Sequence, residues 1–141
     1  MGSEVARADL QRLADEKLSD AAILLNAKSW SNAYYLAGYA VELAIKACIA
    51  KSFKAETIPD LQLVRETYTH RFSDLIGTAG LRAALQRQEQ ADLDFAINWG
   101  VVYEWSPEDR YTATSEQDAR ELIDAISDAN HGVLAWIKTH W

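Results

Sequence analysis

Cysteine is nearly missing from this sequence, since its 141 residues include a single one, Cys48. One cysteine cannot form a disulfide within the chain, which excludes a small fold held by disulfides and is compatible with a reducing compartment. Because Cys48 lies in an apolar stretch, we expect it to be a small buried hydrophobic residue. One cysteine and three histidines also exclude the usual zinc-binding spacings.

The sequence also lacks a glycine-rich loop of the kind that cradles phosphates in many nucleotide-binding enzymes. Asp128 and His131 are three residues apart, the spacing found in metal-binding helical bundles, but no second such motif with matching acids accompanies them. We therefore predict no metal site and no cofactor.

The sequence contains fewer basic than acidic residues. Fourteen lysines and arginines face 21 acidic residues, which gives a net charge of −7. Basic and acidic side chains balance in residues 1–58, so the whole excess of negative charge lies in residues 59–141. A protein that relies on neutralising phosphates should be basic. The composition argues against strong non-specific binding of nucleic acid, but it is compatible with a small local basic site.

The sequence does contain four long segments with the three- and four-residue apolar spacing of amphipathic helices. They run from Glu4 to Ala27, Ser31 to Ser52, Leu81 to Trp105, and Ser115 to the C-terminus. A shorter helix is predicted within residues 69–80, capped by Thr69 or Ser73, and Thr114 with Gln117 is predicted to form a capping box before the last helix. The sequence predicts one all-α domain over residues 1–141, an up-and-down four-helix bundle with an additional short helix.

The second predicted helix is apolar on nearly all sides, which is typical of the central helix of a bundle. Gly38 within it should lower helix stability by about 1 kcal/mol relative to alanine, so we expect a close packing contact there. The run Ala33–Ala50 is nearly long enough to span a bilayer. However, Glu42 and Lys46 lie near its middle, which favours a buried core helix over a membrane span.

Glu42 and Lys46 form an acid–base pair one helical turn apart, in the favourable order. Two interpretations remain open: one exposed strip of the helix holds the pair, or the pair lines a polar pocket or a subunit interface. Burial would require both charges to be paired, because an isolated buried charge is very unfavourable. Arg110, in a predicted turn, is a candidate partner for Glu42.

Arg65 and His70 form a second candidate pair, in the string "RETYTH". A histidine can take a proton from a ribose 2′-hydroxyl while an arginine stabilises the charged phosphate, so the pair could cleave RNA without metal. The alternative is that Arg65 is a surface residue and His70 helps to start the short helix.

Four of the aromatic residues fall at the spacing of a helical core, namely Tyr35, Tyr39, Trp99 and Trp136. The string "WSPEDRY" instead gathers Trp105, Arg110 and Tyr111 near a helix end, and it is the better candidate for an aromatic-lined contact with a ligand.

Three pieces of the sequence, in order, resemble the HEPN domain family, the nucleotide-binding domains of higher eukaryotes and prokaryotes. They are the helix containing "AVELAIKA", the segment "THRFSDLIGTAGL" and the segment "NWGVVYEWSPEDRY". Together they cover most of the chain, from about Asp15 to Tyr111.

The resemblance implies a helical bundle that pairs into a homodimer and binds a nucleotide or RNA. It implies a cytoplasmic role in a toxin–antitoxin or defence module, beside a nucleotidyltransferase-type partner and with no membrane association. Glu42, Lys46, Arg110 and Tyr111 are then the expected ligand-binding residues. Many members are metal-independent endoribonucleases in which four to six residues separate an arginine from a following histidine, a motif that Arg65 and His70 match. A non-catalytic dimerisation module is the third alternative.

Overall fold

A computed structural model of the protein describes residues 5–141, apart from the side chain of Arg110. Within this part, the chain is all-helical and has no strand, which confirms the predicted fold class. The α-helices are α1 (Arg7–Asn26), α2 (Trp30–Ala50), α3 (Leu61–Thr67), α4 (Phe72–Thr78), α5 (Arg82–Ala91), α6 (Leu93–Tyr103), α7 (Glu116–Ser127) and α8 (Val133–Lys138). A 3-10 helix, Pro107–Tyr111, connects α6 with α7.

α2 is the central helix, as predicted. It packs along α1 and also contacts α4, α7, α8 and the 3-10 helix. Twelve of its residues are buried, Cys48 among them, as expected. By length and composition α2 could cross a membrane, and 67% of its most apolar 18-residue stretch is buried inside the protein.

Gly38 of α2 has the close contact that its position predicts. A side-chain carbon at this residue would overlap the indole ring of Trp105. That ring is buried, donates a hydrogen bond from Nε1 to the Tyr34 carbonyl at 3.2 Å, and stacks on Phe72 with ring centroids 5.3 Å apart. Trp105 is therefore part of the core, which corrects its assignment to an aromatic-lined ligand contact.

Two of the predicted long helices are each divided. Residues 81–105 form α5 and α6, because Asp92 has an extended backbone (φ −141°, ψ 99°) and caps α6 by accepting a hydrogen bond from Phe95 N. The last helix is broken between Ser127 and Val133, where Asp128 accepts hydrogen bonds from the backbone N–H groups of Asn130 and His131. The apolar spacing continues through both breaks, so it does not reveal them.

The predicted helix caps are wrong in two places. Arg71 occupies the position before α4 and provides no side-chain cap, while Thr69 accepts a hydrogen bond from Arg71 N. Ser115, not Thr114, caps α7, by accepting a hydrogen bond from Asp118 N. Glu4, the predicted start of the first helix, lies outside the described residues, within which α1 begins at Arg7.

Candidate functional site

Glu42 is the buried charged residue of the described part of the chain, with 2% of its surface exposed. Its two carboxylate oxygens have different partners. Oε2 is 3.2 Å from Nζ of Lys46, one helical turn along α2, and Oε1 is 2.8 Å from Nδ1 of His70. We call these three residues the Glu42 cluster. The structure thus buries the acid of the predicted pair and adds a histidine that the sequence did not connect with it.

The α3–α4 connection brings His70 to this carboxylate. α4 begins two residues later and buries Phe72, Leu75 and Ile76, and it packs against α2. Because these apolar residues fix α4 on α2, the backbone at His70 is held beside the Glu42 side chain. The position of the imidazole therefore follows from core packing as well as from its own hydrogen bond.

The protonation pattern of the cluster follows from the chemistry of a carboxylate, which only accepts hydrogen bonds when ionised. Nδ1 of His70 must therefore carry a proton and donate a hydrogen bond to Glu42. Nζ of Lys46 donates a second hydrogen bond to the same carboxylate. In the neutral form of His70, Nε2 is then the ring nitrogen with a free lone pair. The His70 side chain is 59% exposed, so a ligand can reach the ring.

The negative charge of Glu42 also acts on a neighbour on the same helix. The pKa of Tyr39 is raised, first by burial of its ring and second by the charge of Glu42. Every buried side-chain nitrogen and oxygen in the described part of the chain has a hydrogen-bond partner. The cluster is therefore a satisfied polar group inside an apolar bundle, open to solvent at the histidine.

Arg65, the other half of the predicted catalytic pair, does not join the cluster. It is exposed in the last turn of α3, and its side chain forms no hydrogen bond or ion pair with any described residue. The Arg65 side chain can therefore approach an anionic ligand, but no contact with a described residue holds it beside His70.

Arg110 and Tyr111 lie at the end of the 3-10 helix. Tyr111 is 75% exposed, as a ligand-contacting aromatic residue would be. The side chain of Arg110 lies outside the described part of the structure, so its contact with Glu42 stays a prediction. Of the sequence-predicted site residues, the structure therefore brings together Glu42, Lys46 and His70.

Sequence reasoning missed a second polar cluster, which joins the start of α6 to the turn before α8. Nδ1 of His131 is 2.7 Å from Oδ2 of Asp92, and its Nε2 is 3.7 Å from Oδ2 of Asp94. The hydrogen bond from His131 lowers the pKa of Asp92, and the same bond raises the pKa of His131. The sequence paired His131 with Asp128, but Asp128 bonds the backbone of this turn instead.

Asp92, Asp94 and His131 offer ligand atoms within 4.8 Å of one another, the spacing of a metal site. However, the two carboxylates lie at opposite nitrogens of one ring. A metal ion binds one imidazole nitrogen, so it could not use both contacts as they stand. The arrangement fits two acids that flank an imidazolium better than it fits three ligands that converge on an ion.

The comparisons with known proteins add no assignment. A scan against protein-family models, a search of curated proteins and a search of solved structures each found no match.

Proposed function

We propose that this chain is a binding subunit for RNA or a nucleotide, of the HEPN type that its sequence resembles, and that the ligand is contacted at the exposed ring of His70. The observation that carries the proposal is the buried Glu42 carboxylate that holds His70 through Nδ1 at 2.8 Å. In this proposal the chain belongs to a toxin–antitoxin or defence module with a nucleotidyltransferase-type partner.

Burying the charge of Glu42 has an unfavourable free energy that its partners must offset. A buried ion pair is often no more stabilising than apolar side chains of similar volume. An apolar residue in place of Glu42 would therefore serve the packing of α2 at least as well. What the carboxylate adds is a fixed orientation and a fixed tautomer for a histidine at the surface. That property is useful for recognising or reacting with a ligand.

Cationic and polar groups near His70 are suited to a phosphate-bearing ligand. Arg65 and Arg71 are both exposed and lie within five residues of it in the chain. The preceding residue, Thr69, lines a groove of about 540 Å³ between α3, α4 and α5, which Arg82 and the acids Glu66 and Asp74 also line. The small local basic site that the acidic composition of the chain allows is therefore the pair Arg65 and Arg71, not the groove.

Binding can be tested by fluorescence anisotropy with a labelled single-stranded RNA at low salt. We expect His70→Ala to weaken binding by about fivefold or more, because it removes the hydrogen bond that Nε2 accepts from a hydroxyl or N–H group of the ligand. Ser73→Ala, a change at an exposed residue of α4, should leave binding unaltered. No binding by folded wild-type protein up to about 100 µM, the weak end of non-specific nucleic-acid binding, would contradict the proposal.

A metal-independent endoribonuclease is the second candidate, and the orientation of His70 favours it. With Nδ1 bonded to Glu42, Nε2 can accept the proton of a ribose 2′-hydroxyl. The 2′-oxygen then forms a bond to phosphorus and the bond from phosphorus to the 5′-oxygen breaks. Arg65 would stabilise the added negative charge, and water would protonate the departing oxygen. The products are a 2′,3′-cyclic phosphate and a 5′-hydroxyl.

Incubation of a mixed-sequence RNA with the protein in EDTA separates this enzyme from a binding subunit. Cleavage by wild type that yields cyclic phosphate ends, and that is lost in both His70→Ala and Arg65→Ala, supports the enzyme. Absence of cleavage by wild-type protein that binds the same RNA rules the enzyme out and leaves the binding subunit.

We further propose that the subunit is a homodimer, in which α6 supplies part of the interface. Leu93 and Ile97 are one helical turn apart on α6, and 73% and 60% of their surfaces are exposed. Tyr103, at the end of the same helix, is 54% exposed. An apolar strip of this kind is suited to pairing with a second copy. If neither RNA nor nucleotide binds, pairing alone would make the chain the dimerisation module of the third alternative.

A further inference from the structure

A second cleft lies on a part of the molecule that the proposed function does not use. It has a volume of about 490 Å³ and is bounded by α5, the first turns of α6, the turn before α8, and the C-terminal end of the chain. This volume is within the range of small-molecule sites in proteins. None of its lining residues belongs to the Glu42 cluster or to the groove beside Thr69.

The lining of this cleft differs in charge from the rest of the chain. Among the described residues, its lining contains Arg87, His131 and His140 but no acidic residue, although the chain as a whole carries a net charge of −7. The charge of His131 is balanced by Asp92, to which it is bonded. Arg87 is therefore the uncompensated fixed cation of the lining.

Two cationic side chains, Lys51 and Arg87, act on the His140 end of the cleft. The pKa of His140 is lowered, first by burial and then by the positive charges of Lys51 and Arg87. Lys51 is held at this end because its Nζ donates a hydrogen bond to the His140 carbonyl at 3.0 Å. His140 is half-buried against Trp136, with ring centroids 5.0 Å apart.

The rest of the lining is partly apolar and partly polar, and its polar residues include Asn130 and Thr139. Alanines from α5 and α8 and the edge of Trp136, which is 8% exposed, form the apolar part. Phe95 packs against Trp136 with ring centroids 5.4 Å apart and is itself fully buried. Small-molecule sites typically combine such an apolar lining with a few polar groups that fix the ligand's orientation. Here those groups are the guanidinium of Arg87 and the side-chain amide of Gln88, both on α5.

We propose that this cleft binds a small organic carboxylate with a flat apolar body. The carboxylate would pair with Arg87, whose planar guanidinium matches two carboxylate oxygens. The body of the ligand would lie on the alanines of α5 and α8, beside the exposed edge of Trp136. A monoanion fits better than a phosphate dianion, because one fixed cation lines the cleft and His140 is held toward its neutral form.

The test uses naphthalene-2-carboxylate as the probe and its neutral carboxamide as the matched ligand, each titrated by calorimetry into the full chain. We expect millimolar or tighter binding of the carboxylate and at least about tenfold weaker binding of the carboxamide. Arg87→Gln should lose about tenfold in affinity for the carboxylate. Arg120→Gln, which removes an exposed arginine of α7 outside this cleft, should bind like wild type.

Three outcomes would overturn the proposal. They are equal binding of the carboxylate and the carboxamide, an Arg87→Gln variant that binds as well as wild type, and absence of carboxylate binding by folded protein. Tighter binding of inorganic phosphate than of the carboxylate, with the same dependence on Arg87, would overturn the choice of a monoanion. RNA binding through His70 is measured separately, so it stands or fails independently of this result.

Discussion

At the scale of single residues, Glu42 and Lys46 allow the energy of the buried charge to be measured. Lys46→Met leaves a carboxylate that is 2% exposed with His70 as its remaining partner, and we expect a loss of about 2 kcal/mol in unfolding free energy. The double variant Glu42→Met/Lys46→Met removes both charges and should be at least about 1 kcal/mol more stable than Lys46→Met. Urea denaturation measures both changes.

With the single variant Glu42→Met added, these variants form a double-mutant cycle, and its control is the exposed pair of Arg12 and Glu16 on α1. It has the same four-residue spacing and a distance of 3.0 Å, but both side chains are more than half exposed. Its coupling energy should be about 0.5 kcal/mol or less. Equal coupling energies for the two pairs would show that burial does not strengthen the interaction of Glu42 with Lys46.

His131 makes the stability of the region between α6 and α8 dependent on pH. Its pKa is raised by the hydrogen bond to Asp92, and Asp94 and Asp128 also face it with negative charge. A raised folded-state pKa gives stabilisation that is complete below the ordinary value of about 6.5 and is lost as the pH rises through the raised value. We therefore expect His131→Ala to lower the unfolding free energy more at pH 5.5 than at pH 8.5.

Unfolding curves of the two proteins at both pH values provide the measurement, and the difference between variant and wild type is the informative quantity. His140 has a lowered pKa and so has the opposite pH dependence. It is present in both proteins and cancels in the difference. If His131→Ala lowers the unfolding free energy equally at both pH values, or more at pH 8.5, the proposed stabilisation by protonated His131 is contradicted.

The sequence predicted the contact between Glu42 and Lys46 but not the contacts of His70 and His131, and the reason is physical. Glu42 and Lys46 are close in the chain, and the geometry of a helix alone brings them together. His70 is 28 residues from Glu42 and His131 is 39 residues from Asp92. Such contacts depend on how α4 and α6 pack, which residue spacing along one segment does not specify.

At the scale of helices, Gly38 and Gly100 form a matched pair of glycines. Gly38→Ala should lower the unfolding free energy by about 1–3 kcal/mol, because the new methyl group would displace the Trp105 ring from its place against α2. Gly100 on α6 has nothing within 4 Å of an added methyl group. Gly100→Ala should therefore raise stability by up to about 1 kcal/mol through helix propensity alone.

Both variants should be measured by urea denaturation at the same low protein concentration. The near-ultraviolet circular dichroism of the tryptophans should change in Gly38→Ala and stay as in wild type in Gly100→Ala. A Gly38→Ala protein as stable as wild type would show that Trp105 can move without loss, and its contact with α2 would then not explain the glycine.

The positions of long helices could be predicted from apolar spacing, but their interruptions could not. Asp92 ends α5 and caps α6, and His131 stabilises this geometry by its bond to the Asp92 side chain. At Lys28, between α1 and α2, the backbone takes a positive φ of 65° in a residue other than glycine. These features depend on local hydrogen bonds and tertiary contacts, which override helix propensity at a few residues without altering the apolar pattern.

At the scale of the whole molecule, the all-α fold around a central apolar helix could be predicted from composition and apolar spacing. Pairing with a second copy depends instead on which residues lie on the surface, which apolar spacing does not specify. We expect the wild-type chain to be dimeric at micromolar concentration. Ile97→Glu, which places a charge in the exposed strip of α6, should shift it to a monomer, because an unpaired charge is unfavourable in an apolar interface.

Native mass spectrometry and sedimentation across a range of micromolar concentrations measure this change. Ile23→Glu is the matched control, since Ile23 is 63% exposed on α1 and Ile97 is 60% exposed on α6. It should leave the dimer intact, because a charge on α1 does not alter the strip of Leu93 and Ile97. A wild-type chain that is monomeric throughout the range would contradict the homodimer. A dimer that Ile23→Glu disrupts and Ile97→Glu preserves would place the interface on α1 instead of α6.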